Sequence, residues 1–89
     1  MKLLFQNSRG KLRTIAKIDG RKPDKDIYKL AAEEIQRFCD ERNFKIYYSR
    51  VWNEEHNGKL MTKFDVGSHT EFFYLEKALN IGKVLGGTE

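Results

Sequence analysis

Hydrophobic and polar positions follow two different periods along the chain. Between Asp24 and Arg42, apolar residues recur at steps of three and four, the period of an amphipathic helix. The apolar stripe consists of Ile27, Leu30, Ala31, Ile35, Phe38 and Cys39. Asp24 is expected to cap the start of the helix, and Asn43 tolerates the left-handed conformation that ends one. The segment therefore predicts one helix packed on a core by one side.

On both sides of this helix the apolar positions alternate with polar ones, which predicts β-strands. Five strands are predicted, at residues 2–6, 11–18, 44–52, 59–66 and 71–76. In the third, one face would carry Phe44, Ile46, Tyr48, Arg50 and Trp52, and this face is predicted to be the core side. Asn57-Gly58 is the strongest turn signal and predicts a tight hairpin. The order ββαβββ predicts an α+β fold with the helix on one face of an antiparallel sheet.

The length of 89 residues allows one domain and one core. We expect residues 1–76 to form that domain. Residues 77–89 contain apolar side chains but end in a run with Gly86-Gly87, so they are predicted to be a loosely held tail. Cys39 is the only cysteine, which excludes an intramolecular disulfide. No apolar run is long enough for a signal peptide or a membrane span, so we expect a cytoplasmic protein without membrane contact.

Few residues here have the pattern of a catalytic or metal site. Ser68 and His69 are adjacent, with Glu71 nearby, but a nucleophile and its base normally converge from separate elements of a fold. A connecting turn is the simpler interpretation. His56 lies at the predicted hairpin tip and has no partner set with metal-ligand spacing. We therefore expect a protein that is not an enzyme and that needs no metal or cofactor.

The positive charge is unevenly placed, which points to an anionic partner. Residues 1–30 contain nine Lys or Arg and three Asp, whereas the whole chain has a net charge of +4. Cations beside exposed aromatic rings bind nucleic acid or nucleotides through phosphate contacts and base stacking. The candidate residues for this binding are Arg9, Lys11, Arg13, Arg21, Lys22, Tyr47 and Arg50.

A second hypothesis starts from apolar residues on both sides of the predicted strands. One helix covers only one face of a sheet, so apolar residues on the other face need another cover. The residues predicted to lie uncovered are Ile15, Val51, Met61, Phe73 and Leu75. They predict a protein-binding surface, occupied by a host protein or by a second copy in a homodimer.

The stretch Phe64-Asp65-Val66-Gly67-Ser68-His69-Thr70-Glu71-Phe72-Phe73-Tyr74-Leu75 resembles a phrase in small accessory proteins of phages and prophages of Gram-positive bacteria. The resemblance covers these residues of the chain and implies no catalytic residue. It implies a virus-encoded protein that interferes with a host process, anti-defence proteins included, by masking a host protein. Sequestering a nucleic acid or nucleotide with the basic N-terminal hairpin is the alternative.

Overall fold

The computed structural model describes residues 1–84, except for the side chain of Lys83. Five strands form one antiparallel sheet in the order β2-β1-β5-β4-β3, with a long helix and a short one on the same side. The elements are β1 (Lys2–Gln6), β2 (Leu12–Lys17), α1 (Asp24–Glu41), β3 (Arg50–His56), β4 (Lys59–Asp65), β5 (Phe72–Leu75) and α2 (Ile81–Val84). The predicted α+β class, with one long helix against an antiparallel sheet, is confirmed.

The two ends of α1 use different backbone devices. At the C-terminal end, Asn43 has a φ of 54° and the N–H of Phe44 donates to the Cys39 carbonyl at 2.8 Å. This Schellman-type end confirms the role predicted for Asn43. At the N-terminal end the capping position is Pro23, so the prediction that Asp24 caps the helix is wrong. The Asp24 carboxylate instead pairs with Lys77 Nζ at 2.8 Å and accepts the Asn80 N–H.

The β3–β4 hairpin confirms the predicted turn at Asn57-Gly58, where both residues have positive φ, at 53° and 80°. Two such residues form the type I′ turn whose twist suits a two-residue hairpin. This turn fixes a register in which Trp52 is opposite Lys63 and Arg50 is opposite Asp65. The pairing ends there, so β3 spans Arg50–His56 and not residues 44–52, and residues 44–49 cross the end of the sheet without forming a strand.

The hairpin register also decides which face each β3 residue occupies. Val51 is opposite Phe64 and therefore shares the helix side with it, whereas Trp52 lies on the other side. The predicted face that joined Trp52 and Arg50 to Phe44 and Ile46 as core is therefore wrong. The prediction assumed that the strand alternation of side chains extends through residues 44–49, but these residues are not in the sheet.

A register shift interrupts the regular alternation of faces along β2. Leu3 is opposite Ala16 but Leu4 is opposite Thr14, which leaves Ile15 as an extra residue on β2. A bulge of this kind reverses the alternation on either side of it. Arg13 therefore lies opposite Phe5 on the helix side, with its guanidinium 5.8 Å from the Phe38 ring centre.

The core lies between the sheet and the two helices, and its centre is aromatic. Phe73 contacts Phe5 and Phe38, with ring centres 5.3 and 5.6 Å apart. The other members of the buried cluster are Leu3, Ile18, Ile27, Ala31, Ile35, Cys39, Phe64, Val66, Leu75, Leu79 and Val84. Burial raises the pKa of the Cys39 thiol, as expected for a small core residue.

The predicted protein interface does not match this packing. Phe73 and Leu75 are fully buried on the helix side, and Val51 and Ile15 pack against the same cluster. Of the five residues, Met61 is the one on the opposite side of the sheet, and it is 8% exposed. The prediction that Ile15, Val51, Phe73 and Leu75 lie uncovered is wrong. Ile15 and Val51 pack against the core cluster, at the bulge and in the hairpin register respectively, and the pairing of β5 with β1 directs Phe73 and Leu75 towards the helices.

The segment after β5 is docked through a hydrogen-bond network at Thr62. The Thr62 hydroxyl accepts the Leu79 N–H at 2.9 Å and has the Lys77 carbonyl at 2.8 Å as an acceptor. Asn53 Nδ2 donates to the Leu79 carbonyl, and Leu79 and Val84 are buried. Residues 77–84 are therefore packed, contrary to the predicted loose tail, and residues 85–89 lie outside the described part of the chain.

Candidate functional site

The side of the sheet opposite α1, here called the open face, carries no helix within residues 1–84, because α1 and α2 both bury their residues on the other side. Its residues follow from the strand alternation and register. The centre and the β3 side of the open face carry Leu4, Arg50, Trp52, Glu54, His56, Met61, Lys63, Asp65, Phe72 and Tyr74, and its β1–β2 side and the hairpin end carry Lys2, Gln6, Leu12, Thr14, Lys17 and Lys59. Aromatic and charged side chains are interleaved across it.

Lys63 lies at the centre of the open face among three aromatic rings. Its Nζ is 4.0 Å from the Phe72 ring centre and 5.6 Å from those of Trp52 and Tyr74. The same Nζ pairs with Glu54 at 3.2 Å, and the Lys63 side chain is only 12% exposed. The rings hold the cation by cation–π attraction, and Glu54 neutralises it. Lys63 is therefore a fixed part of the surface.

The charges around Lys63 are stabilised from several sides. Desolvation would lower the pKa of Lys63, but hydrogen bonds to Tyr74 and Glu54 raise it above its usual value. The Trp52 indole N–H donates to Glu54 Oε1 at 3.0 Å and lowers the pKa of that carboxyl. Both partners therefore stay charged near neutral pH.

Asp65 is a second organising residue, at the end of the sheet nearest Arg50. Its carboxylate accepts the Gly67 N–H at 2.9 Å and an Arg50 guanidinium N–H at 3.1 Å. Tyr48 donates its hydroxyl at 3.4 Å. Burial would raise the pKa of Asp65, but these donors hold it below its usual value. Arg50, Tyr48 and the loop at Gly67 are thus tied to one carboxylate.

Beside Asp65 lies a cleft of about 690 Å³, here called the aromatic cleft, between residues 43–48 and residues 67–71. Tyr47 and Tyr48, which are 66% and 46% exposed, are two of the three exposed large hydrophobic residues among those described. Its other lining residues are Asn43, Phe44, Lys45, Gly67, Ser68, His69 and Glu71. The Tyr47 N–H donates to the Val66 carbonyl at 2.9 Å, which fixes the backbone of this wall.

Ser68 and His69 occupy one side of the aromatic cleft. The Ser68 hydroxyl donates to Glu71 Oε1 at 3.0 Å and accepts the Glu71 N–H at 3.1 Å, as in a polar turn. Its bonded partners are thus in its own turn, and His69 is exposed. Among residues 1–84, no group of three His, Cys, Asp or Glu side chains is placed to hold a metal ion.

The structure separates the residues predicted to bind an anion into three places. Arg9, Lys11 and Arg13 lie at and beside the β1–β2 turn, all exposed. Arg21 and Lys22 come after Lys17, the last residue of β2. Lys17 is five residues from Leu12 at the other end of the strand, a distance of about 16 Å. Arg21 is also paired with Asp19 at 3.1 Å. These five cations therefore lie in two groups, one at each end of β2.

Tyr47 and Arg50 belong to the third place, at the opposite edge of the sheet from β2. Phe5, Phe73, Phe64 and Val51 form one row across the strands, and Gln6 and Arg50 each lie one residue beyond it at the same end of the sheet. Three interstrand spacings, roughly 14 Å, separate Gln6 from Arg50. The β1–β2 turn and the aromatic cleft thus lie at the same end of the sheet but on different edges.

The surroundings of Lys63 and Asp65 were missed from the sequence, although a signal was present. A two-residue turn at Asn57-Gly58 pairs His56 with Lys59, and counting back from that pair places Trp52 opposite Lys63. The same count places Arg50 opposite Asp65. The contributions of β5, which come from distant sequence, had no comparable signal.

No family model matches this chain, and neither a curated protein nor a solved structure matches it. Within the described residues, no helix has both the length and the apolar character needed to cross a membrane. The open face and the aromatic cleft are therefore the two surfaces whose geometry bears on function.

Proposed function

We propose that this chain is a non-enzymatic binding protein that masks a host protein with the open face of its sheet. The observation that carries the proposal is the Lys63 cluster: a cation, held by Glu54, is surrounded by Trp52 and Phe72 on a face that no described helix covers. Such a surface is already desolvated and ordered in part, so less conformational entropy is lost when a partner binds.

The composition of the open face favours a protein partner. Protein interfaces are enriched in aromatic residues, Met and Arg, and their most energetic residues are commonly Trp, Tyr and Arg. Trp52, Phe72, Met61 and Arg50 supply these types on one side of the sheet. The open face therefore has the makeup of an interface centre.

The charge pairing on the open face also favours a protein over a polyanion. Lys63, at the centre of the face, pairs with Glu54 at 3.2 Å and its side chain is 12% exposed. A cation that is already neutralised by a carboxylate releases few counterions from a phosphate backbone, and counterion release supplies much of nucleic-acid affinity. The resemblance of residues 64–75 to phage accessory proteins supports a host protein as the occupant.

The test is quantitative capture of partners by the immobilised protein, followed by reconstitution with the purified partner. We expect Trp52→Ala to weaken that binding by about 2 kcal/mol or more, roughly thirtyfold, as for a central interface residue. Leu60→Ala is the matched control, because Leu60 is 54% exposed but lies on the helix side of β4. Equal affinity of the Trp52→Ala protein and the wild type would refute the proposal.

Self-association is the competing occupant and is measured separately. Native mass spectrometry of the wild type at micromolar concentration distinguishes monomer, dimer and hetero-complex. A dimer that dissociates in the Trp52→Ala protein would assign the open face to a second copy, and would overturn the host-protein proposal.

Nucleic-acid binding is a second candidate function, favoured by the unpaired cations of the β1–β2 hairpin. Arg9, Lys11 and Arg13 are exposed, and none forms a salt bridge within residues 1–84. If they contact phosphates, affinity for a single-stranded oligonucleotide falls steeply with salt. The triple change of these residues to Ala removes that binding.

Arg21→Ala with Lys22→Ala is the matched control for that experiment, because these two cations lie at the other end of β2. Unchanged affinity in the triple variant, or an equal loss in the control, would exclude the hairpin as a nucleic-acid site.

A further inference from the structure

The aromatic cleft has the size and lining of a small-molecule site. Its volume of about 690 Å³ lies within the range of roughly 300–1,000 Å³ that is usual for ligand pockets. Tyr47 and Tyr48 both line it, although most aromatic rings of the described chain are at least partly buried. Two exposed rings at one cleft are available for stacking on a planar ligand.

The rings are presented from a fixed backbone. Gly67 has a φ of 98°, and a Cβ at this position would lie 2.7 Å from the Tyr47 Cβ. The Tyr47 side chain therefore packs directly against the backbone of Gly67, and the Tyr47 N–H donates to the Val66 carbonyl. Tyr48 is held by its hydroxyl bond to Asp65. The walls of the cleft are thus held by hydrogen bonds within the chain, which lowers the entropy lost when a ligand binds.

Each exposed ring has a cation next to it. Lys45 Nζ is 4.9 Å from the Tyr47 ring centre, and the Arg50 guanidinium is 5.2 Å from the Tyr48 ring centre. The Arg50 side chain is 65% exposed, so donors remain beyond the one bonded to Asp65. A hollow of about 340 Å³ lies against Tyr48 and Arg50. Rings and cations together match a ligand that joins an aromatic system to negative charge.

The acidic groups nearby are already engaged. Glu71 lines the cleft, and one of its oxygens accepts the Ser68 hydroxyl. Asp65 is 6% exposed and is surrounded by its three donors. The charged groups next to the two exposed rings are therefore the cations Lys45 and Arg50. The second carboxylate oxygen of Glu71 could accept a hydrogen bond from an exocyclic amine of a base.

We propose that the aromatic cleft binds a nucleoside phosphate, with the base stacked on Tyr47 or Tyr48 and the phosphate bound by Lys45 and Arg50. A single nucleotide is favoured over a strand of nucleic acid. The β1–β2 cations lie beyond Gln6, which is roughly 14 Å from Arg50 across the sheet, and Lys63 between the two places is paired with Glu54. This site adjoins the proposed contact with a host protein at the Lys63 cluster: Arg50 borders both surfaces, whereas Lys45 and Tyr47 line the cleft alone.

The test is a titration of the purified full-length chain with AMP, GMP and UMP at about 0.15 M salt, the physiological value. Trp52, the single tryptophan, reports binding by fluorescence because its ring centre is 5.8 Å from the Arg50 guanidinium. Isothermal titration calorimetry confirms the stoichiometry. We expect at least one nucleotide to saturate one site per chain, and the matching nucleoside and inorganic phosphate each to bind at least about tenfold more weakly.

Two variants locate the site. Tyr47→Ala with Tyr48→Ala is expected to weaken nucleotide binding at least about tenfold, since each stacked base contributes substantially to affinity. Leu60→Ala, which removes the third exposed large hydrophobic residue at the far hairpin, is expected to leave the affinity unchanged. Tyr47→Phe keeps the ring and removes only the hydroxyl. Because stacking on the base requires only the ring, we expect its nucleotide affinity to lie within about threefold of the wild-type value.

Four results would overturn the proposal. They are no saturation by any of the three nucleotides up to about 10 mM, phosphate binding as tight as nucleotide binding, an equal loss in the Leu60→Ala protein, and an oligonucleotide binding where no mononucleotide does. The last result would assign the cleft to nucleic acid. Failure of the Trp52→Ala capture experiment is measured independently and leaves this test unaffected.

Discussion

Replacing the hydroxyl of Thr62 by a methyl group tests whether residues 77–84 are part of the fold. Thr62 is fully buried, and its hydroxyl accepts the Leu79 N–H at 2.9 Å. The Lys77 carbonyl and Asn53 Oδ1 lie within 2.8 and 2.9 Å, and the single hydroxyl proton is donated to one of them at a time. Thr62→Val preserves the side-chain volume but removes every one of these bonds.

The expected loss of stability follows from the groups left without partners. A buried donor such as the Leu79 N–H costs about 1–3 kcal/mol when it is unsatisfied, and the lost donated bond adds about 0.5–1.5 kcal/mol. We therefore expect Thr62→Val to lower the free energy of unfolding by about 2–4 kcal/mol. For a domain of this size the total is of the order of 4–13 kcal/mol, so the change is large.

Urea denaturation monitored by Trp52 fluorescence measures this loss. With a slope of about 1.5 kcal/mol/M, we expect the midpoint to fall by about 2 M. Thr62→Ser keeps the hydroxyl and is the control, with an expected loss of about 1 kcal/mol for the missing methyl group. Hydrogen exchange at the Leu79 amide is expected to accelerate in the Val variant. A midpoint within about 0.3 M of the wild type would refute the docking of residues 77–84 by Thr62.

Three further substitutions test the core, the buried carboxylate and the cleft wall. Phe73→Ala is expected to lower the free energy of unfolding by about 3–5 kcal/mol in urea, because Phe73 is a core residue; a loss below about 1 kcal/mol would contradict this placement. Because the folded-state pKa of Asp65 is depressed, its stabilising contribution is present above about pH 4 and is lost as pH falls through the folded pKa. Urea midpoints of the wild type and Asp65→Asn are therefore expected to converge in acid, and parallel curves would contradict this. Gly67→Ala strains a positive φ and brings a Cβ too close to Tyr47, whereas at Gly10 a Cβ meets nothing within 4 Å. In urea denaturation we therefore expect Gly67→Ala to lower the free energy of unfolding more than Gly10→Ala does; equal reductions would contradict the packing of Tyr47 on Gly67.

The long helix and its apolar stripe were predictable because helix periodicity and the Asn43 end are local properties. The Asn57-Gly58 turn was predictable for the same reason. The faces of β2 were not, because the bulge at Ile15 depends on pairing with Leu3 and Leu4 of another strand. An alternation in one strand cannot reveal an extra residue relative to its partner.

The candidate site shows the same division. The single residues Tyr47 and Arg50 were predicted, but their setting was not, since it depends on Asp65 and Gly67 in a different part of the chain. Arg21 and Lys22 lie apart from Arg9 although they are near in sequence, because a strand of six residues separates them.

The sequence by itself determined the α+β class, the order of the elements from β1 to β5, the extent of α1 and the β3–β4 turn, because each is set by periodicity or by the conformational preferences of a few adjacent residues. The tertiary structure alone decided which side of the sheet Trp52, Val51 and Phe73 occupy, and that Leu79 is buried. Those outcomes require the register between strands distant in sequence, and a shift of one residue moves a side chain from one face to the other.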